Sequence, residues 1–225
     1  MFLSLAQTTG TSNVGLPLPE IFVNLNFNMD SRPLSGGYTT LHQPLKGLPP
    51  VVVFFSFLDQ TSYNWATKYQ VVQRIRKSLP QGIEVHRYHV STVERAGFDM
   101  GPTLTHIWAV AMDLHVDDKM IVPLFDAILR DKIVTDLEGI REMFWRVANV
   151  PQLQFDRTLG KATVRKDAVW MDEVTRQVHQ DGVPVVVVKG KYLVDGTKSN
   201  ELKGLEGDEF GIKVAELVKG ILERE

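Results

Sequence analysis

The residue type best suited to acid–base or metal chemistry in this sequence is histidine. There are six: His42, His86, His89, His106, His115 and His179. His86 and His89 lie three residues apart in a segment with the pattern of a strand. They therefore point to opposite faces and cannot chelate one metal ion. No phosphate-binding loop or dinucleotide fingerprint occurs. The sequence thus predicts no metal site and no cofactor.

Cysteine chemistry is excluded, because these 225 residues contain no cysteine. That removes disulfides, thiolate metal ligands and cysteine nucleophiles together. The charges nearly balance, with 27 acidic and 25 basic residues. This balance argues against nucleic acid as a partner, since a nucleic-acid binder would carry a basic stripe. No run of 18 apolar residues occurs, so no integral membrane segment is expected.

A β-α-β unit is the clearest structural pattern in the first half of the chain. Val51–Leu58 is continuously apolar and rich in β-branched and aromatic residues, which is typical of a central strand buried on both faces. A helical stretch follows to about Leu79, where Pro80 and Gly82 end it. Ile83–Val90 has the pattern of a second strand. A helical crossover between two such strands predicts parallel pairing.

The later segments change from helical to strand patterns. Residues 94–169 have mostly helical periodicity. Val183–Val188 and Tyr192–Val194 have the pattern of a β-hairpin. The last segment, Phe210–Glu225, is an amphipathic helix whose predicted apolar face carries Ile212, Ala215, Val218 and Leu222. The order of elements is that of an α/β thioredoxin fold with an inserted α-helical domain.

The predicted domain organisation has three parts. Residues 36–92 and 170–225 form the thioredoxin-like domain, and residues 93–169 form the inserted helical domain. Residues 1–35 form an N-terminal extension that we expect to be partly disordered, because it is polar and rich in Gly and Pro. Within it, Ile21–Phe27 alternates weakly and could be an edge strand.

Four blocks of the sequence resemble the DsbA family of bacterial thiol:disulfide oxidoreductases. They are FFSFLDQTSYNW (Phe54–Trp65), LPQGIEVHRYHV (Leu79–Val90), TLTHIWAVAMDLHVDDKMIVPLF (Thr103–Phe125) and DGVPVVVVKGKYLV (Asp181–Val194). The resemblance implies the DsbA version of the thioredoxin fold and a periplasmic location. Met1–Ala6 is too short for a complete secretory signal, so it is either the remainder of a trimmed signal or an ordinary chain end.

The sequence departs from the family at the residues that carry its chemistry. Where the family has Cys-x-x-Cys, this chain has Asp59, Gln60, Thr61 and Ser62. Where the family has a buried glutamate in the preceding strand, this chain has Val53. Thiol–disulfide exchange needs one sulfur to attack and a second to resolve the mixed disulfide, and neither a carboxylate nor a hydroxyl replaces them. We therefore expect no enzymatic oxidoreductase activity and no catalytic residue.

The degenerate motif leaves two interpretations for Asp59. Its side chain can cap the helix by accepting hydrogen bonds from first-turn amides, or it can present a carboxylate to a ligand. Ser62 lies in the first turn. Its hydroxyl is expected to support the helix start rather than act as a nucleophile, because no histidine is placed to serve as its base.

The resemblance also supplies candidate peptide-binding residues. Val183 and Pro184 match the family's cis-proline loop, which faces the active site and pairs there with extended polypeptide. The loop could instead be kept for the fold alone. Trp65 is either a core residue or part of a surface groove beside the old active site.

The function predicted from these observations is binding without redox chemistry. We expect extended or partly folded polypeptide as the ligand, in the bacterial envelope, in a chaperone or assembly role such as a secretion or conjugation system uses. The partner is then a polypeptide client or an envelope assembly partner. The alternatives are a residual non-redox enzyme activity and a purely structural docking partner. The oligomeric state is not predicted.

Overall fold

Five strands form one mixed sheet at the centre of the described chain. The computed structural model describes residues 36–93, 100–132, 136–178 and 182–224, all within one compact unit, Ser31–Glu225. The predicted extension and the possible strand Ile21–Phe27 lie outside the described residues. The strands are β1 Thr39–Thr40, β2 Val51–Phe55, β3 Val85–His89, β4 Val185–Val188 and β5 Tyr192–Asp195. Their order in the sheet is β1-β5-β4-β2-β3.

Strand β2 lies in the interior of this sheet, as its continuous apolar sequence predicts. It pairs in parallel with β3 and antiparallel with β4, so the predicted β-α-β unit and late hairpin are both confirmed. Every residue of β2 is buried. Val52 and Phe54 join the core beneath the helical insert, whereas Val51 and Val53 join the core on the opposite face. Burial on both faces is the reason that β2 shows no polar alternation.

Helices cover both faces of the sheet. Among the described residues, five helices lie between β3 and β4 in sequence and form the insert. The helices are α1 Gln60–Thr67, α2 Val71–Ser78, α3 Gly101–Asp113, α4 Asp117–Phe125, α5 Leu137–Ala148, α6 Gln152–Leu159, α7 Ala162–Val178 and α8 Gly207–Leu222. Helix α4 continues as a π-helical segment, Asp126–Arg130. Helix α7 runs without a break through the predicted boundary between residues 169 and 170. Within the described ranges, no helix has the length and apolarity needed to span a bilayer.

The prediction of one helix from residue 60 to Leu79 is wrong, because the segment is two helices. Gln70 separates α1 from α2 and adopts a left-handed conformation, with φ at 48°. Helix α8 crosses at this break, and its Gly211 approaches the Tyr69 carbonyl so closely that a Cβ atom would overlap the oxygen. The close crossing therefore requires a glycine at position 211.

The predicted apolar face of the last helix is correct only in part. Ala215 and Val218 are buried, but Ile212 is 46% exposed and Leu222 is half-buried. The buried face of α8 is formed by Phe210, Gly211, Val214, Ala215, Leu217, Val218 and Ile221. The strand β1, only two residues long, carries no sequence signal and was not predicted.

Candidate functional site

The N-terminus of α1 is built by Asp59, which has extended backbone angles and caps the helix. Its Oδ2 atom accepts a hydrogen bond from the backbone N–H of Ser62 at 2.5 Å. Its other oxygen, Oδ1, accepts no hydrogen bond from the described residues. Asp59 is half-buried. The side chain is therefore held in one orientation by the helix and still presents one carboxylate oxygen.

Ser62 supports the turn that connects β2 to α1. Its Oγ atom accepts a hydrogen bond from the backbone N–H of Ser56 at 3.2 Å, and the residue is 1% exposed. The Ser56 hydroxyl in turn accepts from the N–H of Leu58. The Ser62 hydroxyl thus has a structural partner and is closed off from solvent, which agrees with a helix-start role.

A surface groove of about 410 Å³ lies beside Pro184, and we call it the Pro184 groove. The Val183–Pro184 peptide bond is cis. The groove brings together four of the residues singled out from the sequence: Thr61, Trp65, Val183 and Pro184. The rest of its lining comes from the end of α1, the loop before β4, the end of β5 with the turn after it, and the approach to α8: Tyr69, Gly182, Asp195, Gly196, Thr197, Leu202, Lys203, Gly204, Leu205 and Phe210.

Trp65 satisfies both interpretations proposed for it. The side chain is only 3% exposed and packs on Phe210 with ring centroids 5.6 Å apart. The same indole lines the Pro184 groove. Phe210 also contacts Tyr69, at 4.8 Å between centroids. Trp65, Tyr69 and Phe210 therefore give the groove an aromatic, fixed wall.

A small pocket, lined mostly by buried residues, lies beside the groove and shares Trp65 and Pro184 with it. It holds about 20 Å³, roughly the space of one water molecule, and is lined by residues that include Val53, Ser62, Arg87 and Pro184. Val53 and Arg87 are register partners on β2 and β3. The position that resembles the family's buried glutamate is thus directly beside a buried arginine.

Arg87 is a buried charge near the site that the sequence patterns did not single out. Its side chain is 4% exposed and forms ion pairs with Asp117 at 2.6 Å and with Asp118. Burial raises the pKa of Asp118, but hydrogen bonds and charges from Arg76 and Arg87 outweigh it and hold the pKa below its usual value. With valine at position 53, the guanidinium finds its counter-charges on α4. A buried arginine requires such partners, since an unpaired buried charge costs several kcal/mol.

The histidines within the described ranges are not assembled into a metal-binding cluster. Within the described ranges, no group of three or more His, Asp or Glu side chains could hold a metal ion. His86 Nε2 lies 3.0 Å from Glu84. His89 is fully buried, with Nδ1 2.8 Å from the Thr105 hydroxyl. Desolvation lowers the pKa of His89 to about 3, so its ring is neutral at physiological pH.

The fold and the site together define a thioredoxin-fold protein with a helical insert and a groove beside a cis-proline. Asp59 and Ser62 stand at the two positions where the sequence resemblance places the cysteines of a dithiol. Sequence comparison with known proteins identifies the family. DsbA of Escherichia coli K12 is 33% identical over 158 residues, which cover 70% of this chain and 74% of the relative. DsbA of Pectobacterium carotovorum is 34% identical over 188 residues, which cover 82% and 88%. The chain belongs to the DsbA family of thiol:disulfide interchange proteins.

Solved structures agree with this assignment and with the predicted fold. The disulfide oxidoreductase DsbA from Proteus mirabilis superposes with a TM-score of 0.73 at 26% identity, covering 85% of this chain and 97% of the other. A cysteine-to-serine variant of the same enzyme, solved with the non-covalently bound peptide PWATCDS, gives a TM-score of 0.74 at 26% identity and covers 84% and 97%. No protein-family model matches the chain.

Proposed function

We propose that this chain is a redox-inactive member of the DsbA family that binds extended polypeptide in the Pro184 groove. The observation that carries the proposal is the groove itself. Thr61 and Trp65 from the degenerate motif helix and Val183 and Pro184 from the loop line one depression, although sulfur is absent from this region. This groove supports the proposal that the chain keeps a ligand-binding surface beside a motif that has no cysteine.

The chemical argument for redox inactivity is independent of the groove. Disulfide exchange transfers an electron pair between sulfur atoms through a mixed disulfide. These 225 residues contain no cysteine. Asp59 already serves as a helix cap, and the Ser62 hydroxyl is bonded to the backbone of Ser56. Among the described residues, no histidine forms a hydrogen bond with either side chain.

Support for polypeptide as the ligand comes from the groove lining and from a relative. The fixed aromatic wall of Trp65, Tyr69 and Phe210, with Leu205 and Val183, suits alternate apolar side chains of an extended segment. In the Proteus mirabilis variant, a peptide is bound non-covalently although a cysteine has been replaced by serine. Binding of a peptide by this fold therefore does not require the covalent bond.

The bacterial envelope is the proposed setting, with a periplasmic location as in the family. A protein that holds extended segments there without oxidising them would act as a chaperone or as a scaffold in an envelope assembly. Its partner is then a polypeptide client rather than a small molecule.

Peptide binding by a groove variant tests the proposal. Fluorescein-labelled PWATCDS and reduced, carboxymethylated α-lactalbumin serve as probes in anisotropy titrations. Val183→Arg places a long charged side chain in the groove and should weaken binding at least tenfold. Val169→Arg is the matched control, since Val169 is 56% exposed on α7 and does not line the groove. Equal affinity of Val183→Arg and wild type, or no saturable binding by wild type, contradicts the proposal.

A further inference from the structure

We infer that the outer end of the helical insert docks on a membrane surface, where its cations bind anionic phospholipid headgroups and its exposed apolar side chains enter between them. We call this surface the insert tip. It is formed by exposed residues of α5, of α6 and of the segment that leads into α7: Trp145, Leu153, Arg157, Lys161, Arg165 and Lys166. The inference goes beyond the proposed function, because none of these residues lines the Pro184 groove.

Helix α6 is the element that presents the insert tip to solvent. Its Phe155 is fully buried and packs on Phe144 of α5, with ring centroids 4.8 Å apart. Leu153 and Arg157 each lie two residues from Phe155, and two residues correspond to about 200° of rotation around a helix. Both side chains therefore project from the side of α6 opposite its core contact, and Leu153 is 62% exposed.

Trp145 lies near the same corner of the insert as Leu153. Arg141 on α5 pairs with Asp156 on α6 at 2.7 Å, which fixes how the two helices face each other. Trp145 follows Arg141 by one helical turn, and Leu153 precedes Asp156 by nearly one turn. Both therefore lie on the side of this ion pair that is nearer to the connection between the helices. Trp145 is 55% exposed, and two large apolar side chains exposed at one corner indicate a binding surface.

The insert tip also carries a local excess of positive charge that the balance of the whole chain conceals. Residues 152–166 contain four basic residues and one acidic residue, although the formal net charge of the chain is −2. The acidic residue and Lys161 are already in ion pairs with other helices of the insert. None of the ion pairs in the described ranges involves Arg157, Arg165 or Lys166. Arg165 donates to the Gly160 carbonyl at 3.1 Å, which places it at the connection between α6 and α7.

This combination of charges and apolar side chains favours an anionic membrane surface as the occupant. Tryptophan is enriched at membrane–water interfaces, because its ring is apolar and its N–H is polar. Each Lys or Arg close to an anionic surface strengthens binding about fivefold at physiological salt. A surface of this kind lies on the membrane and does not cross it. The envelope setting proposed above would supply such a membrane. An acidic polypeptide is the alternative occupant, and the experiment distinguishes the two.

Vesicle sedimentation with the whole chain tests the inference. Vesicles of phosphatidylcholine alone are compared with vesicles that contain about one third phosphatidylglycerol. At low salt, wild type should bind the anionic vesicles at least tenfold more tightly than the neutral ones, because three cations contribute. The ratio should shrink at high salt, since salt screens exposed charges.

Two pairs of variants assign the binding to the insert tip. Arg157→Gln/Lys166→Gln should weaken binding to the anionic vesicles by roughly tenfold or more. Lys46→Gln/Lys77→Gln is the matched control, because it removes the same charge from exposed positions outside the insert. Leu153→Ser should weaken binding at least threefold, whereas Ile212→Ser, at a 46% exposed position on α8, should not.

Tryptophan fluorescence reports the contact directly. Of the four tryptophans, Trp65 and Trp108 are buried, Trp170 is half-buried and Trp145 is exposed. Anionic vesicles with brominated acyl chains should therefore quench part of the emission of wild type. Trp145→Phe should remove most of this quenching.

The outcomes that overturn the inference are specific. One is the absence of wild-type binding to the anionic vesicles at low salt, and another is equal binding by the two double variants. A third is binding of poly-L-glutamate that Arg157→Gln/Lys166→Gln abolishes, in a protein that does not sediment with the vesicles. The insert tip would then be a site for acidic polypeptide. Each variant should keep the circular dichroism of wild type, because every substituted side chain is exposed.

Discussion

At the scale of single residues, Asp59 shows how the loss of sulfur has been accommodated. An anion favoured at a helix N-terminus has been replaced by another anion, which accepts a first-turn N–H. We predict that Asp59→Ala lowers the free energy of unfolding by about 1 kcal/mol, whereas Asp59→Asn changes it by a few tenths at most. Urea unfolding at neutral pH measures both. Equal stability of the two variants would mean that the cap contributes nothing.

His89 predicts how stability depends on pH. Burial lowers its pKa from 6.5 to about 3. Between these two values the unfolded chain binds a proton that the folded chain does not, so stability falls as pH falls. Above pH 6.5 both states are neutral and this residue contributes no pH dependence. Below pH 6 the loss approaches 1.4 kcal/mol per pH unit, the limit for one proton.

The variant that tests this assignment is His89→Gln, compared with wild type by urea unfolding at pH 7, 6, 5 and 4. The variant should be less stable at pH 7, because the side chain is fully buried and contacts Phe57 and Thr105. Its stability should nevertheless fall less steeply with acid, by about one proton. His42→Gln, at an exposed position, should keep the wild-type slope. Parallel curves for His89→Gln and wild type would contradict the assignment.

At the scale of elements, helix α8 carries two glycines that can be compared directly. Gly211 lies where α8 crosses the break between α1 and α2, and Gly220 has open space around it. A Cβ atom at Gly211 would overlap the Tyr69 carbonyl and lie 2.7 Å from Arg74 Cδ, whereas Gly220 faces open space. We predict that Gly211→Ala destabilises by about 2–3 kcal/mol through overpacking. Gly220→Ala should instead stabilise by about 0.5–1 kcal/mol, because alanine is the better helix former.

Chemical denaturation of the two alanine variants measures this difference. The opposite signs make it informative, since both substitutions add the same methyl group to the same helix. Similar effects at both positions would mean that the close approach of α8 to Tyr69 does not constrain the packing.

Sequence patterns predicted the elements that local composition determines, and missed those that depend on distant contacts. Strand β2 is recognisable because burial on both faces forces an apolar run. The break at Gln70 is not, because no glycine or proline marks it in the sequence. The predicted face of α8 ran from Ile212 through Ala215 to Val218 in steps of three residues, and such a stripe drifts by about 60° per step around a helix. Ile212 was therefore assigned to the core although it is exposed.

At the scale of the whole molecule, the candidate site was predictable where it falls on the family's motif. Asp59, Thr61, Val183 and Pro184 were found because they occupy aligned blocks. The opposite side of the groove was not found, because Leu202, Leu205 and Phe210 form no motif and are brought to the groove only by the fold. Arg87 was missed for a similar reason, since its significance lies in its register with Val53.

The retained scaffold predicts what should happen if sulfur is restored. In Asp59→Cys/Ser62→Cys, the first thiol would meet the Ser62-position N–H that now binds Asp59, and such a helix N-terminus lowers a thiol pKa. The second thiol would occupy a position that is 1% exposed. We predict that the double variant forms an intramolecular disulfide in oxidising buffer and catalyses the reduction of insulin by dithiothreitol, measured by thiol titration and turbidity.

The controls for this restoration are the wild type and the two single variants. Wild type should show no turnover above blank and the same melting temperature in oxidising and reducing buffer, because it has no thiol to titrate. Each single variant should have one free thiol and no catalysis, since a second sulfur is needed to resolve a mixed disulfide. A double variant that folds but keeps both thiols free in oxidising buffer would show that residues 59 and 62 are not placed as a dithiol requires. The loss of function would then extend from the two side chains to the geometry of the helix start.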